Sequence, residues 1–208
     1  MAFPPQLSLA TRNPGKIREI RRICADWPVR WVVFERGDHR WPDVEETGAT
    51  YLENAILKAR TVAEALAMPA LADDSGIEVD ALGGAPGPRS ARFAGPRASE
   101  EENLQLLIER IRDVSPERRT ARYQCVAACS WPGGPERWSE GTCEGLLVLE
   151  PRGTGGFGYD PIFVPVEQSD GATLTMAELS PEEKDRISHR GAALRGLGEA
   201  LRDGPVSG

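Results

Sequence analysis

The sequence predicts a mixed α/β fold, a central β-sheet with flanking helices, and three observations carry that prediction. Short apolar runs alternate with helix-periodic segments through the N-terminal part of the chain. Two β-rich stretches, Thr120 to Trp131 and Arg137 to Glu150, are separated by Pro132-Gly133-Gly134-Pro135, the pattern of an antiparallel hairpin. Early βα alternation followed by a hairpin points to a mixed rather than an all-parallel sheet. The third observation is composition: 40% apolar and 27% charged residues among 208 describe a globular chain with a core of its own.

Taken in order, Gln6 to Ala10 reads as a strand that runs into Thr11-Arg12-Asn13-Pro14-Gly15-Lys16, and Ile17, Ile20 and Ile23 then recur at helical spacing. Trp31 to Phe34 is a second short strand, followed by a polar loop from Glu35 to Thr47. Thr50 with Glu53 three residues later forms a capping box for a helix to about Leu66, closed by Met68-Pro69. Ala70 to Ala72 and Ile77 to Val79 are expected as separate short strands flanking a turn or bulge at Asp73-Asp74-Ser75-Gly76. Ser99 and Glu102 cap a helix to about Asp113. A glycine-rich loop from Gly153 to Asp160 precedes a strand at Ile162-Phe163-Val164. Ser180-Pro181-Glu182-Glu183 starts another helix, and a last one covers Gly191 to Arg202. Residues 1–203 are expected to form one domain and 204–208 a frayed tail.

Charge and patterning exclude several classes of function. A formal net charge of -7 disfavours a protein whose main task is to grip nucleic acid, which needs a dense field of Lys and Arg. No apolar run approaches the roughly 20 residues that span a bilayer, and the N-terminus has no basic region followed by a long apolar run, so the expectation is a cytoplasmic protein without a membrane partner. The four cysteines, Cys24, Cys125, Cys129 and Cys143, are expected as reduced thiols. Cys125 and Cys129 bracket what looks like buried strand and have no second Cys/His pair to complete a metal site.

Several segments have the residue types that chemistry on phosphates requires. Thr11 to Lys16 combines a hydroxyl, an amide, a glycine and a lysine at a helix N-terminus, where partial positive charge favours anions; Asn-Pro-Gly is also an ordinary turn. Asp73-Asp74 offers adjacent carboxylates, hard oxygen ligands suited to Mg²⁺, unless the pair merely caps a solvated turn. Glu45-Glu46 adds a further acidic pair in the preceding loop. Gly155-Gly156-Phe157-Gly158-Tyr159-Asp160 sets aromatic side chains among glycines, where Phe157 can stack on a flat ligand or simply pack on the core. His189 and Arg190 add donors before the last helix.

Together these segments resemble the inosine triphosphate pyrophosphatase family, pyrophosphatases of non-standard purine nucleoside triphosphates. The likeness spans nearly the whole chain. It rests on Thr11 to Lys16, Glu45-Glu46-Thr47-Gly48 leading to Glu53-Asn54-Ala55, Ala72 to Gly76, Gly83-Gly84-Ala85-Pro86-Gly87, Ser90-Ala91-Arg92-Phe93, Gly155 to Pro161 and Ser188-His189-Arg190.

The resemblance implies a long mixed sheet with two lobes around a nucleotide-binding cleft, a homodimer, and Mg²⁺-dependent hydrolysis of ITP, dITP and XTP to monophosphate and pyrophosphate, which cleanses the nucleotide pool. It implies that Thr11, Arg12, Asn13, Pro14, Gly15 and Lys16 bind the triphosphate, that Glu45 and Asp74 hold the metal, and that Asp74 activates water. Ser75, Phe157, Gly158, Tyr159, Asp160, Lys184, His189 and Arg190 become the nucleotide and base contacts. Lys184, His189 and Arg190 as donors fit the carbonyl at purine position 6. Two positions depart from the family pattern: Arg12 replaces a small residue, and Pro88-Arg89 replaces a more apolar pair. Two other readings stay open at this level, a pyrophosphatase for modified pyrimidine or methylated nucleotides and a nucleotide sensor without turnover.

Overall fold

The computed structural model describes residues 3–35, 38–168 and 173–202. Six strands form one sheet, in the order β2-β1-β3-β4-β5-β6: β1 Gln6–Leu9, β2 Arg30–Val32, β3 Ala70–Val79, β4 Thr120–Ser130, β5 Glu136–Leu147 and β6 Phe163–Pro165. β1 pairs in parallel with β2 and β3, whereas β5 and β6 are antiparallel, so the sheet is mixed as expected. Five helices accompany it, α1 Pro14–Ile23, α2 Tyr51–Leu66, α3 Glu100–Ile111, α4 Pro181–Ile187 and α5 His189–Arg202.

The three helix starts that the sequence marks with a hydroxyl and a glutamate are all capping boxes. Thr50 with Glu53, Ser99 with Glu102 and Ser180 with Glu183 each exchange both hydrogen bonds, and each cap contributes about 1 kcal/mol. α2 ends where Ala67 turns left-handed ahead of Met68-Pro69.

One expectation is overturned. Ala70–Val79 is a single ten-residue strand, not two short strands around a turn. The polar run Asp73-Asp74-Ser75-Gly76 continues the strand because its side chains alternate between faces and find buried partners there, so no turn is needed to expose the carboxylates.

The chain forms two compact units. One comprises residues 1–74, 125–141 and 190–208, the other 75–124 and 142–189. The first holds two apolar clusters. Leu7, Leu9 and Leu71 pack with Ile20 of α1 and with Leu194 and Leu197 of α5, while Ala70 and Ala72 pack with Ala55, Ala59 and Val62 of α2. In the second unit Ile77 and Val79 join Leu104, Leu107, Tyr123, Ile162 and Phe163. In that unit Gly145, in register with Pro165, leaves room that the Phe163 ring fills, and a Cβ there would be driven into the ring and the Val164 carbonyl. Gly145→Ala is therefore expected to cost about 1–3 kcal/mol by overpacking, read as a lowered denaturant midpoint with an unchanged slope. The tail expected at 204–208 lies outside the described residues.

Candidate active site

β3 places Asp73 and Asp74 on opposite faces, and each face brings its own cations. Asp73 shares a face with Leu71, the side packed by α1 and α5. There its Oδ2 receives Lys16 Nζ at 3.0 Å and Arg190 Nε and Nη2 at 3.2 and 3.0 Å, and the Cys125 thiol lies 3.9 Å away. Arg190, only 2% exposed, also donates through Nη1 to Glu19 of α1. Burial by itself would raise the Asp73 carboxyl, but Lys16 first and then Arg190 and Lys58 outweigh it and hold the group well below the usual carboxylate range. Asp73 is a permanent anion. The same burial raises the Cys125 thiol to about 12, so it stays protonated.

Asp74 shares a face with Ala72, the side packed by α2. Its Oδ1 takes Lys58 Nζ at 2.8 Å and its Oδ2 takes the Asn54 amide at 3.2 Å. Lys58 donates equally to Glu46 at 2.8 Å. Burial is the chief influence on Asp74 and raises its carboxyl; Glu46 adds to the rise, while Lys58 and Lys16 oppose it. Two neighbouring aspartates thus have opposed tendencies, one locked as an anion and one drawn toward proton exchange, which is the difference that separates a structural charge from a candidate base.

The Thr11 to Lys16 loop organises the start of α1. Asn13 is the N-cap, and its Oδ1 accepts the N–H groups of Gly15 and Lys16 at 2.7 and 3.1 Å; Thr11 Oγ1 accepts from the Asn13 N–H at 3.2 Å. Pro14 occupies the first turn, where its missing N–H costs nothing. Arg12 leans away toward residues 41–43. Glu45 is exposed in the same acidic segment.

Within the second unit, Asp160 is the hub of the glycine-rich loop. It accepts the Phe157 N–H at 2.8 Å, Lys184 Nζ at 2.6 Å and the Tyr123 hydroxyl at 3.2 Å. The Lys184 ammonium lies 5.3 Å from the centre of the half-buried Phe157 ring. Gly156, at φ 70°, admits no side chain because a Cβ would overlap the Asp160 carboxylate. Tyr159 is buried and donates to the Ser90 carbonyl at 2.8 Å. His189 stacks on Tyr123 with centroids 4.5 Å apart and planes 9° from parallel. The N–H of Gly158 is held by Glu100 at 3.1 Å, and Ser75 is half-buried in β3.

Lys58 and Glu19 escape motif reading, and Asn54 stands in a motif without an assigned role. A signal does exist in the pattern. Asn54 and Lys58 are polar residues four apart on the stripe of α2 that also carries Ala55, Ala59 and Val62, and Glu19 stands beside Ile20 on the buried side of α1. A polar residue on an apolar stripe must find a partner, because burying it unpaired is costly. Arg190, expected among the nucleotide and base contacts, donates to Asp73 and Glu19.

Mixed strand order and a strand carboxylate pair matched by Lys16 at the start of α1 and by Lys58 within α2 define an α/β protein with the side chains of hydrolytic phosphate chemistry. The chain belongs to the Ham1 family, which it matches over residues 7–200. It is 51% identical over 200 residues to the dITP/XTP pyrophosphatase of Streptomyces coelicolor, covering 95% of this chain and 98% of that one. The dITP/XTP pyrophosphatase of Thermus thermophilus is 50% identical over 197 residues, with 95% and 92% covered. Among solved structures, a HAM1 protein from Coxiella burnetii superposes with a TM-score of 0.82 at 38% identity, covering 98% of this chain and all of that one. The Ham1 protein of Staphylococcus aureus gives 0.77 at 39%, with 94% and 97% covered.

Proposed function

We propose that this chain is a nucleotide hydrolase of the dITP/XTP pyrophosphatase type, cleaving non-standard purine nucleoside triphosphates to monophosphate and pyrophosphate. The observation that carries the reading is the split between the two β3 aspartates: Asp74 is raised by burial and held by Lys58 and Asn54, while Asp73 is fixed as an anion that holds Lys16 at the start of α1.

In this reading Asp74 takes a proton from water and orients it toward the α-phosphorus. Lys58 holds Asp74 in place and balances its charge. Lys16, with the partial positive charge of the α1 N-terminus, offsets negative charge on the departing pyrophosphate, and Thr11, Asn13, Pro14 and Gly15 shape the loop that brings the phosphates there.

Among the described residues no group of three or more His, Cys, Asp or Glu side chains gathers around one point. Mg²⁺ needs only one or two carboxylates and completes its shell with water and phosphate oxygens, and Glu45 and Asp74 are the proposed ligands. When bound, Mg²⁺ supplies charge neutralisation on the triphosphate and polarises the phosphoryl oxygens. The proposed base contacts Phe157, Gly158, Lys184 and His189 all belong to the second unit, with Tyr159 and Asp160 as their supports and Ser75 as a further nucleotide contact. Lys184 and a His189 N–H can donate to a carbonyl at purine position 6, and adenine's amino group cannot accept them, a difference of about 1–3 kcal/mol per lost bond. A homodimer completes the proposal. Among the described residues no helix is long and apolar enough to cross a membrane.

Inosine triphosphate with Mg²⁺ is expected to give monophosphate and pyrophosphate in equal amounts, with EDTA abolishing the reaction and oxygen from labelled water entering the monophosphate. Orthophosphate with a nucleoside diphosphate would refute the reading, and label in the pyrophosphate would move the attack away from the α-phosphorus.

A further inference from the structure

Arg12 stands among the loop residues assigned to phosphate, yet its guanidinium is directed elsewhere. It meets the Asp43 carboxylate through Nη1, the Trp41 carbonyl at 3.1 Å and the Pro42 carbonyl at 3.5 Å through Nη2, and it lies over the Phe34 ring at 4.4 Å. Phe34 in turn meets the buried Trp41 edge-on, with centroids 6.0 Å apart. Residues 42–48 belong to no helix or strand, so their position depends on side-chain contacts rather than on a backbone ladder. Two of those contacts lie at the far end, Glu46 on Lys58 and the Gly48 N–H on Asn54 Oδ1 at 2.8 Å. At the near end Arg12 acts beside the apolar packing of Trp41 and Val44.

We propose that Arg12 is a positioning residue that latches the acidic segment carrying Glu45 and Glu46 onto the loop that starts α1, and so sets how that segment presents its carboxylates to Asp74. The inference rests on the proposed function for its kinetic consequence, though not for its structural one. The ion pair alone is too exposed to do this, since the Asp43 side chain is 89% accessible. The grip comes from one planar group that stacks on an aromatic ring while its fork reaches a carboxylate and two carbonyls, a combination that the ammonium of lysine cannot reproduce.

The test compares Arg12→Ala, Arg12→Lys and Asp43→Ala by hydrogen exchange of residues 41–48 in the metal-free protein, and by the Mg²⁺ concentration that gives half-maximal turnover of inosine triphosphate. Arg12→Ala and Arg12→Lys are expected to exchange about tenfold faster in that segment and to need about tenfold more Mg²⁺, the size of effect that one multidentate surface contact provides, while Asp43→Ala, which removes only the exposed ion pair, should change both by about two- to threefold. Turnover of Asp43→Ala at saturating Mg²⁺ should stay within about threefold of the parent. The Arg12→Ala/Asp43→Ala pair should be no worse than Arg12→Ala alone, because the arginine change already removes the contact to Asp43. Parent-like exchange in Arg12→Ala, or full rescue by Arg12→Lys, overturns the proposal. So does a pattern in which Arg12→Ala weakens nucleotide binding while Asp43→Ala tightens it, which would make Arg12 a phosphate ligand. If the parent protein turns over no triphosphate, the proposed function fails, and the exchange measurement still decides the latch.

Discussion

Asp74→Asn is expected to lower turnover of inosine triphosphate at least about a hundredfold while the protein stays folded, the lower range for removing a general base. The substitution keeps the shape of the side chain and removes its ability to take a proton. Lys58 retains Glu46 at 2.8 Å, so the loss of one carboxylate leaves it paired and the α2 face intact. Burial, the main influence on Asp74, draws its proton affinity toward the working pH, which an amide cannot imitate. Turnover and circular dichroism should be measured on one preparation. Native dichroism with near-parent turnover would reduce Asp74 to a partner for Lys58.

Arg190→Met should produce the largest change in stability. The guanidinium is 2% exposed and joins Glu19 to Asp73. Asp73 would keep Lys16, but Glu19 would remain as a buried charge deprived of this cation. Breaking one side of a buried pair costs about 3–5 kcal/mol, which for a chain of this size lowers Tm by roughly 6–20 °C. Adding Glu19→Gln should restore part of the loss, since a buried amide is less costly than a buried carboxylate. A variant with parent-like Tm whose efficiency falls on inosine triphosphate far more than on adenosine triphosphate would instead return Arg190 to the base.

Local chemistry made much of the fold legible. The three capping boxes mark the starts of α2, α3 and α4 because a hydroxyl and a glutamate three residues apart satisfy the same two backbone donors wherever a helix follows. The β4–β5 hairpin shows through its alternating pattern and the Pro-Gly-Gly-Pro interruption, with the Trp131 N–H closing on the Pro135 carbonyl. The family, and with it the candidate residues at positions 11–16, 73–75, 157–160 and 189–190, was readable from ordered motifs along the chain.

Two things lay beyond the sequence by itself. It could not reveal that Asp73-Asp74 is strand rather than turn, because two aspartates have low strand propensity and only cations on both faces make the extended form tolerable. Nor could it reveal which partners those cations would be: Lys58 is 16 residues from Asp74 and Arg190 is 117 from Asp73. Motifs report what a residue can do, and so the sequence alone determined the caps, the strands other than the middle of β3, and the candidate groups that lie in motifs. Charge pairing between distant segments is settled by which helix packs on which face of β3, and that choice, made by burial of Ile20, Leu194, Ala55 and Ala59, turned Arg190 toward Asp73 and Lys58 toward Asp74.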